Sequence, residues 1–112
     1  YYRRCIEWIS GHVKKPLFFV FSDDIARAKA YLPAQDYFVF VDNNTEINAH
    51  EDLRLMSQCK HHIIANSTFS WWGAWLGAYR DKKVLAPSPW FNTAKHATTD
   101  LIPDGWMLIE AR

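Results

Sequence analysis

Charge of one sign is what this chain lacks first: 13 Lys and Arg stand against 12 Asp and Glu, leaving a formal charge of +1. No strong field therefore points to a nucleic acid backbone or an anionic membrane surface as the partner. Long apolar runs are missing as well. The longest, Trp71 to Tyr79, is about half of what a spanning helix needs, and Arg80, Asp81, Lys82 and Lys83 close it. No transmembrane segment is expected in these residues. The opening YYRRCIEWIS has neither the apolar h-region nor the small-residue cleavage site of a secretory signal. It also lacks an initiating Met and reads as the inside of a helix, so an upstream part of a longer protein is expected. With four Gly and five Pro the chain cannot be collagen-like or low-complexity. Its two Cys, Cys5 and Cys59, lie far apart in sequence and favour a reducing compartment.

What is present is apolar and aromatic. Hydrophobic residues make up 49% of the 112, and six Trp, five Tyr and seven Phe are among them. That suffices for one ordinary core, in one domain or part of one. Tyr2, Cys5, Ile6 and Ile9 recur at helical spacing up to Gly11, a candidate C-cap. LFFVF (17–21) and YFVFV (37–41) are continuous apolar runs of strand length. Each ends in acids or amides, Ser22-Asp23-Asp24 and Asp42-Asn43-Asn44, and IARAKAYL between them reads as a helix ended by Pro33. Asn48 followed by Glu51 predicts the start of a further helix with Leu53, Leu55, Met56 and Cys59 on its apolar face. HHIIA, VLAP from Val84 and WMLIE from Trp106 are shorter strand candidates. In WWGAWLGAYR, Gly73 and Gly77 with Ala74 and Ala78 predict a thin helix face packed closely on a sheet. The alternation implies a parallel sheet with helices on both faces, Rossmann-like in class. Ligands of such sheets bind beyond the carboxyl ends of the strands.

Three polar strand ends are therefore the candidate sites. NSTFSWW runs from a strand straight into a helix, leaving backbone N–H groups at Ser67, Thr68, Phe69 and Ser70 together with three hydroxyls. This is either an anion cradle for a phosphate or an ordinary Ser/Thr cap. Asp52, in a first helical turn, could accept two N–H bonds from a guanine edge or simply complement the helix dipole. Asp23, Asp24 and Asp42 could face a ribose, a base or a metal, or cap the helices that follow, with the adjacent pair Asp23 and Asp24 exceeding what one cap needs. Trp71, Trp72 and Trp75 are expected in the core, Trp71 with the best claim to a stacking role. His61 and His62 point to opposite faces of a regular strand and cannot chelate one ion. The sequons at Asn43 and Asn66 are not evidence of secretion, the second lying at what reads as a buried strand end.

Taken together, FFVFSDDI, LRLMSQCKHHIIANSTFSWWGAWL and VLAPSPWF resemble the C-terminal part of the α-1,2-fucosyltransferase family, over nearly all of the chain. The resemblance implies an inverting enzyme of GT-B type that moves fucose from GDP-fucose to the 2-hydroxyl of a galactose-type glycan acceptor, with no metal or other cofactor and no nucleic acid partner. Residues 1–112 would be the donor-binding domain, lacking its first strand and the acceptor half. The resemblance assigns Ser67, Thr68, Phe69 and Ser70 to the donor's β-phosphate and Asp52 to the guanine. Asp23 and Asp24 correspond to an acidic pair ending a donor-domain strand. The family's His-x-Arg-Arg-x-Asp motif is absent, and Arg3-Arg4 is not that motif, so the catalytic residues are expected upstream of Tyr1. The two unpaired-looking thiols and the lack of an anchor in these residues point to a bacterial cytoplasmic location, with membrane association open, whereas the resemblance implies a Golgi one for a eukaryotic member. Two competitors remain: a metal-dependent transferase using Asp23, Asp24 or Asp42, and a non-catalytic carbohydrate- or protein-binding module presenting Trp71, Trp90 and Trp106.

Overall fold

The computed structural model describes residues 1–22, 24–32, 35–41, 49–88 and 101–110. Along these, helices and strands alternate: α1 (Tyr2–His12), β1 (Phe18–Phe21), α2 (Ile25–Tyr31), β2 (Phe38–Val41), α3 (Ala49–Ser57), β3 (His62–Ile63), α4 (Thr68–Trp75), β4 (Val84–Ser88) and β5 (Met107–Glu110). The fold is mixed α/β and every strand pair is parallel, as the alternation requires. One expectation is refined: the strands form two small sheets, β1-β2 and β3-β4-β5.

The sheet around β4 carries the core. Val84, Leu85 and Ala86 are fully or almost fully buried. Because alternate strand residues face opposite sides, Leu85 packs against Cys5 and Ile9 of α1, whereas Val84 and Ala86 pack with Ile64 and with Ala74 of α4. Helices thus cover both faces of β4. The β1-β2 ribbon is different: Phe38 is buried, while Phe19 and its register partner Val39 remain 47% and 37% exposed.

Pro87 leaves a gap in the β3-β4 ladder. His62 N–H donates to the Lys83 carbonyl and Ile64 N–H to the Leu85 carbonyl, each at 2.9 Å. In a parallel ladder the next donor, to the Ile64 carbonyl, would be the amide of residue 87, and proline has none. The Tyr1 hydroxyl takes its place, 2.6 Å from the Ile64 oxygen and 3.0 Å from the Leu85 oxygen.

Two local expectations are corrected. Gly11 lies inside α1, and the cap position is Val13 in extended conformation, its N–H bonded to the Ile9 carbonyl. Gly73 faces a helix rather than the sheet: a Cβ there would lie 2.8 Å from Met56 Sδ and 3.0 Å from Met56 Cβ, so its missing side chain is what lets α4 approach α3. Gly77 does meet the sheet, a Cβ there falling 2.7 Å from Nε2 of His62.

Candidate functional site

β3 and α4 are joined by four residues, Ile64 to Ser67, so the amino end of α4 sits at the carboxyl end of the sheet. Ser67 is the N-cap: extended at φ −128°, it accepts a hydrogen bond from the Ser70 amide at 3.2 Å. The Ser70 hydroxyl turns inward, within 3.0 Å of the Ala65 carbonyl, 3.1 Å of the Ser67 carbonyl and 2.7 Å of the Ser67 hydroxyl. The cap reading is therefore correct for Ser67, and Ser70 stitches the turn to the strand. What remains for a ligand are the amides of Thr68 and Phe69, which have no acceptor inside a helix that begins here, and the Thr68 hydroxyl. Thr68 and Phe69 are both exposed. The positive end of the helix dipole adds roughly half a charge at this point.

The other end of α4 is closed by one side chain. Lys82 Nζ donates to the carbonyls of Ala74 at 2.8 Å and Gly77 at 2.9 Å and lies 3.3 Å from that of Trp75, placing a cation on the negative end of the helix. The sequence reading missed this role, although a Lys pair just past a helix end is the signal that would have revealed it. Beneath that end, His62 is buried and its Nε2 has no partner among the described residues. Burial, with help from Lys82 and His61, holds its pKa down to about 4.

Asp52 lies in the first turn of α3 with Glu51, half-buried. The pair therefore sits on the helix next to α4 in the packing, since Met56 of α3 is what Gly73 of α4 touches. Asp24 is the N-cap of α2, with Oδ1 accepting from the Arg27 amide at 3.0 Å. Its capping role is thus real. Asp23, Asp42, the Asn43 sequon and Trp90 lie outside the described residues. Asp24, just past β1, and the Ser67–Ser70 turn, just past β3, stand at the ends of strands in different sheets.

The tryptophans divide. Trp71 packs on the core with Trp106 and donates from Nε1 to the Leu101 carbonyl at 2.7 Å. Trp72 and Trp75 were expected inside, yet they are 45% and 50% exposed, with the Trp75 ring stacked on Trp71 at 5.4 Å. The reason is geometric: Gly73 and Ala74 are the residues of α4 that α3 and the sheet bury, so Trp72 and Trp75 turn away. Asn66 is exposed rather than buried. The two histidines are separated: His62, in β3, is buried, while His61, just before the strand, accepts at Nδ1 from the Lys83 amide at 3.0 Å. Both thiols, Cys5 and Cys59, are free, and burial pushes their pKa up, away from nucleophilic use. Among the described residues no helix is long and apolar enough to cross a membrane.

A parallel α/β sheet with a capped helix amino end facing outward from its carboxyl edge is the arrangement of anion- and nucleotide-binding domains. The comparison with known proteins narrows this to a family. Residues 1–110 match Glycosyl transferase family 11, and the chain belongs to that family. It is 41% identical to an alpha-1,2-colitosyltransferase of Escherichia coli over 98% of this chain and 38% of that protein. It is 39% identical to the O-antigen biosynthesis glycosyltransferase WbnK of Escherichia coli over 96% of this chain and 35% of that protein. To galactoside alpha-(1,2)-fucosyltransferase 2 of Sus scrofa it is 28% identical over 99% of this chain and 34% of that protein. The chain thus spans little more than a third of the length of these three relatives. No solved structure matches it.

Proposed function

We propose that these residues are part of the C-terminal, donor-binding domain of an inverting GT-B glycosyltransferase. The complete protein transfers L-fucose from GDP-fucose to the 2-hydroxyl of a galactose-type acceptor glycan. The observation that carries the reading is the pair of exposed, helix-terminal amides at Thr68 and Phe69 beyond the sheet's carboxyl edge, in a chain of this family. In the reaction the bond from the sugar's C1 to the β-phosphate oxygen breaks as the acceptor oxygen bonds C1 from the opposite side. The leaving phosphate gains negative charge while the sugar becomes oxocarbenium-like. Donors aimed at that phosphate therefore strengthen as the barrier is climbed. Thr68, Phe69 and the α4 dipole supply such donors, Ser67 and Ser70 hold them in place, and Asp52 binds the guanine N–H edge. The acceptor's proton goes to a base in the part of the protein beyond these residues, which also supplies the full positive charge the pyrophosphate needs.

No metal is required in this reading, because the leaving group is met by amides and by cationic side chains. Asp24, the described member of the acidic pair, already uses one carboxylate oxygen as a helix cap. The location proposed is bacterial and cytoplasmic, at the site of surface-polysaccharide synthesis, a setting supported by the WbnK likeness. A second reading of the donor has its own support, since the identity to a colitosyltransferase exceeds that to the mammalian fucosyltransferase. Purified full-length protein incubated with a β-galactoside and either GDP-fucose or GDP-colitose, in chelator, decides both points. Product with a new α-1,2 linkage from GDP-fucose is expected. Product from GDP-colitose alone would change the donor, and dependence on added metal would overturn the metal-free mechanism.

A further inference from the structure

The near-neutral total charge conceals a division between the two ends of the strands. Every strand pair is parallel, so one edge of each sheet gathers the segments that lead into its strands and the other gathers those that leave them. Lys14 and Lys15 lead into β1, Lys60 into β3, and Arg80, Lys82 and Lys83 into β4. Among the described residues the acids on these approaches are Asp81 before β4, Asp36 before β2 and Asp104 before β5. The amino edge is therefore basic in a chain whose formal total is +1.

Contacts join these approaches into one surface. Lys60 Nζ lies over the Tyr79 ring, 5.6 Å from its centroid, and His61 meets the same ring edge-on at 5.5 Å. The Lys83 amide donates to His61 Nδ1, and the Lys83 Nζ lies 6.0 Å from the centroid of the Trp8 ring, which stacks on His12 at 3.8 Å. His12 ends α1, so Lys14 and Lys15 follow directly from it. Lys14, Lys15, Lys60 and Arg80 are all exposed. Burial lowers the pKa of His61, and the charges of Lys83 and Lys60 lower it further, in keeping with a locally positive potential. Apolar side chains stand beside these cations. Tyr79 is 40% exposed, and Trp75 and Leu76, at the end of α4, are each 50% exposed. Lys82 ties that helix end to the same edge through the carbonyls of Ala74 and Gly77.

We propose that the amino edge of the β3-β4-β5 sheet, with the end of α1 beside it, docks on an anionic lipid bilayer. Charge complementarity carries the choice of partner: Lys and Arg side chains are drawn to anionic headgroups, Trp and Tyr rings settle at headgroup level, and Leu76 reaches the acyl boundary. A protein partner fits less well, because the cores of protein interfaces are depleted in Lys. A single-stranded nucleic acid would need open ring faces on which to stack bases. Here Lys60 lies over Tyr79, and Trp8 is covered by His12. The attachment is peripheral, since among the described residues no helix is long and apolar enough to cross a membrane. The Thr68 and Phe69 amides lie at the other end of α4, about 12 Å away along an eight-residue helix, so docking leaves them facing water.

Sedimentation of the full-length protein with lipid vesicles tests this without any donor present, so its outcome is independent of the transferase reading. The protein should bind vesicles of equal parts phosphatidylglycerol and phosphatidylcholine, ignore vesicles of phosphatidylcholine alone, and be released as salt is raised. Replacing three exposed cations together, Lys14→Gln, Lys60→Gln and Arg80→Gln, should weaken binding to the mixed vesicles on the order of a hundredfold, about fivefold per cation. Leu76→Gln should weaken it on the order of tenfold through lost insertion. Because these side chains are exposed, melting temperatures should stay at the wild-type value, which separates lost docking from lost folding. Failure to bind the mixed vesicles would overturn the proposal and leave the edge to a contact within the protein. Equal binding to both vesicle types, or a triple variant that binds like wild type, would overturn it too. Release from the vesicles by competing RNA at matched ionic strength would assign the edge to nucleic acid and equally refute it.

Discussion

The β3-β4-β5 half and the β1-β2 half of this molecule are built from similar apolar strands and buried to very different depths. β4 is sandwiched, with Leu85 under α1 and with Val84 and Ala86 under α4. β1 and β2 hold Phe38 inside but leave Phe19 and Val39 facing water. The difference shows that a continuous apolar run records what a strand is made to be covered by, not what covers it. β1 and β2 read as strands buried on both faces, and the described residues cover one face.

The sharpest contrast comes from truncation at each half. Leu85→Ala removes a fully buried side chain between α1 and the sheet and should cost about 2 to 5 kcal/mol, read by urea unfolding of the full-length protein. A cost near that of a surface change would show that the β4 core is not as tightly packed as described.

Acid should act on the same half. His62 is held neutral by burial, its pKa falling from 6.5 to about 4. Between those values the unfolded chain binds the proton and the folded chain does not. Stability should therefore fall as the pH drops from about 6.5 to about 4, by up to about 3 kcal/mol, and then level off. His62→Gln should flatten that part of the curve in a pH series of denaturation midpoints, and an unchanged slope would assign the acid sensitivity elsewhere.

Changes at the candidate site are expected to be smaller and to separate binding from stability. Asp52→Asn should weaken GDP binding by about 1 to 3 kcal/mol in calorimetry, since an amide cannot accept from both guanine N–H groups. Ser67→Ala should reduce stability by about 0.5 to 2 kcal/mol through loss of the α4 cap. Thr68→Ala should instead lower turnover at unchanged melting temperature. If the two variants behaved alike, the division between cap and ligand donor would fail. In the β1-β2 half, Val39→Thr, on the exposed face, should shift stability by no more than about 0.5 kcal/mol.

Most of the element order was legible, because the strands read as apolar runs and three of the four helices have a start signal: Asp24 before α2, Glu51 in the first turn of α3, Ser67 before α4. What the pattern could not supply was orientation around α4. Gly73 looked like a sheet contact and is a contact to Met56, because spacing identifies a thin face but not the element that meets it. Trp72 and Trp75 looked like core by composition, yet the small residues beside them occupy the buried side. At the site, the Ser67–Ser70 segment was visible, but the division of labour within it was not. Which hydroxyl caps and which amide stays free depends on the direction in which the Ser70 side chain turns, toward the Ala65 carbonyl.

The central claim is that the donor's phosphate sits at the amino end of α4, in the well-packed half. Amide exchange of the full-length protein, measured with and without saturating GDP, tests it directly. The account predicts that the Thr68 and Phe69 amides become protected when GDP binds while the Phe18 and Val20 amides, which face β2, are unchanged. GDP binding that leaves Thr68 and Phe69 exchanging as before would contradict it.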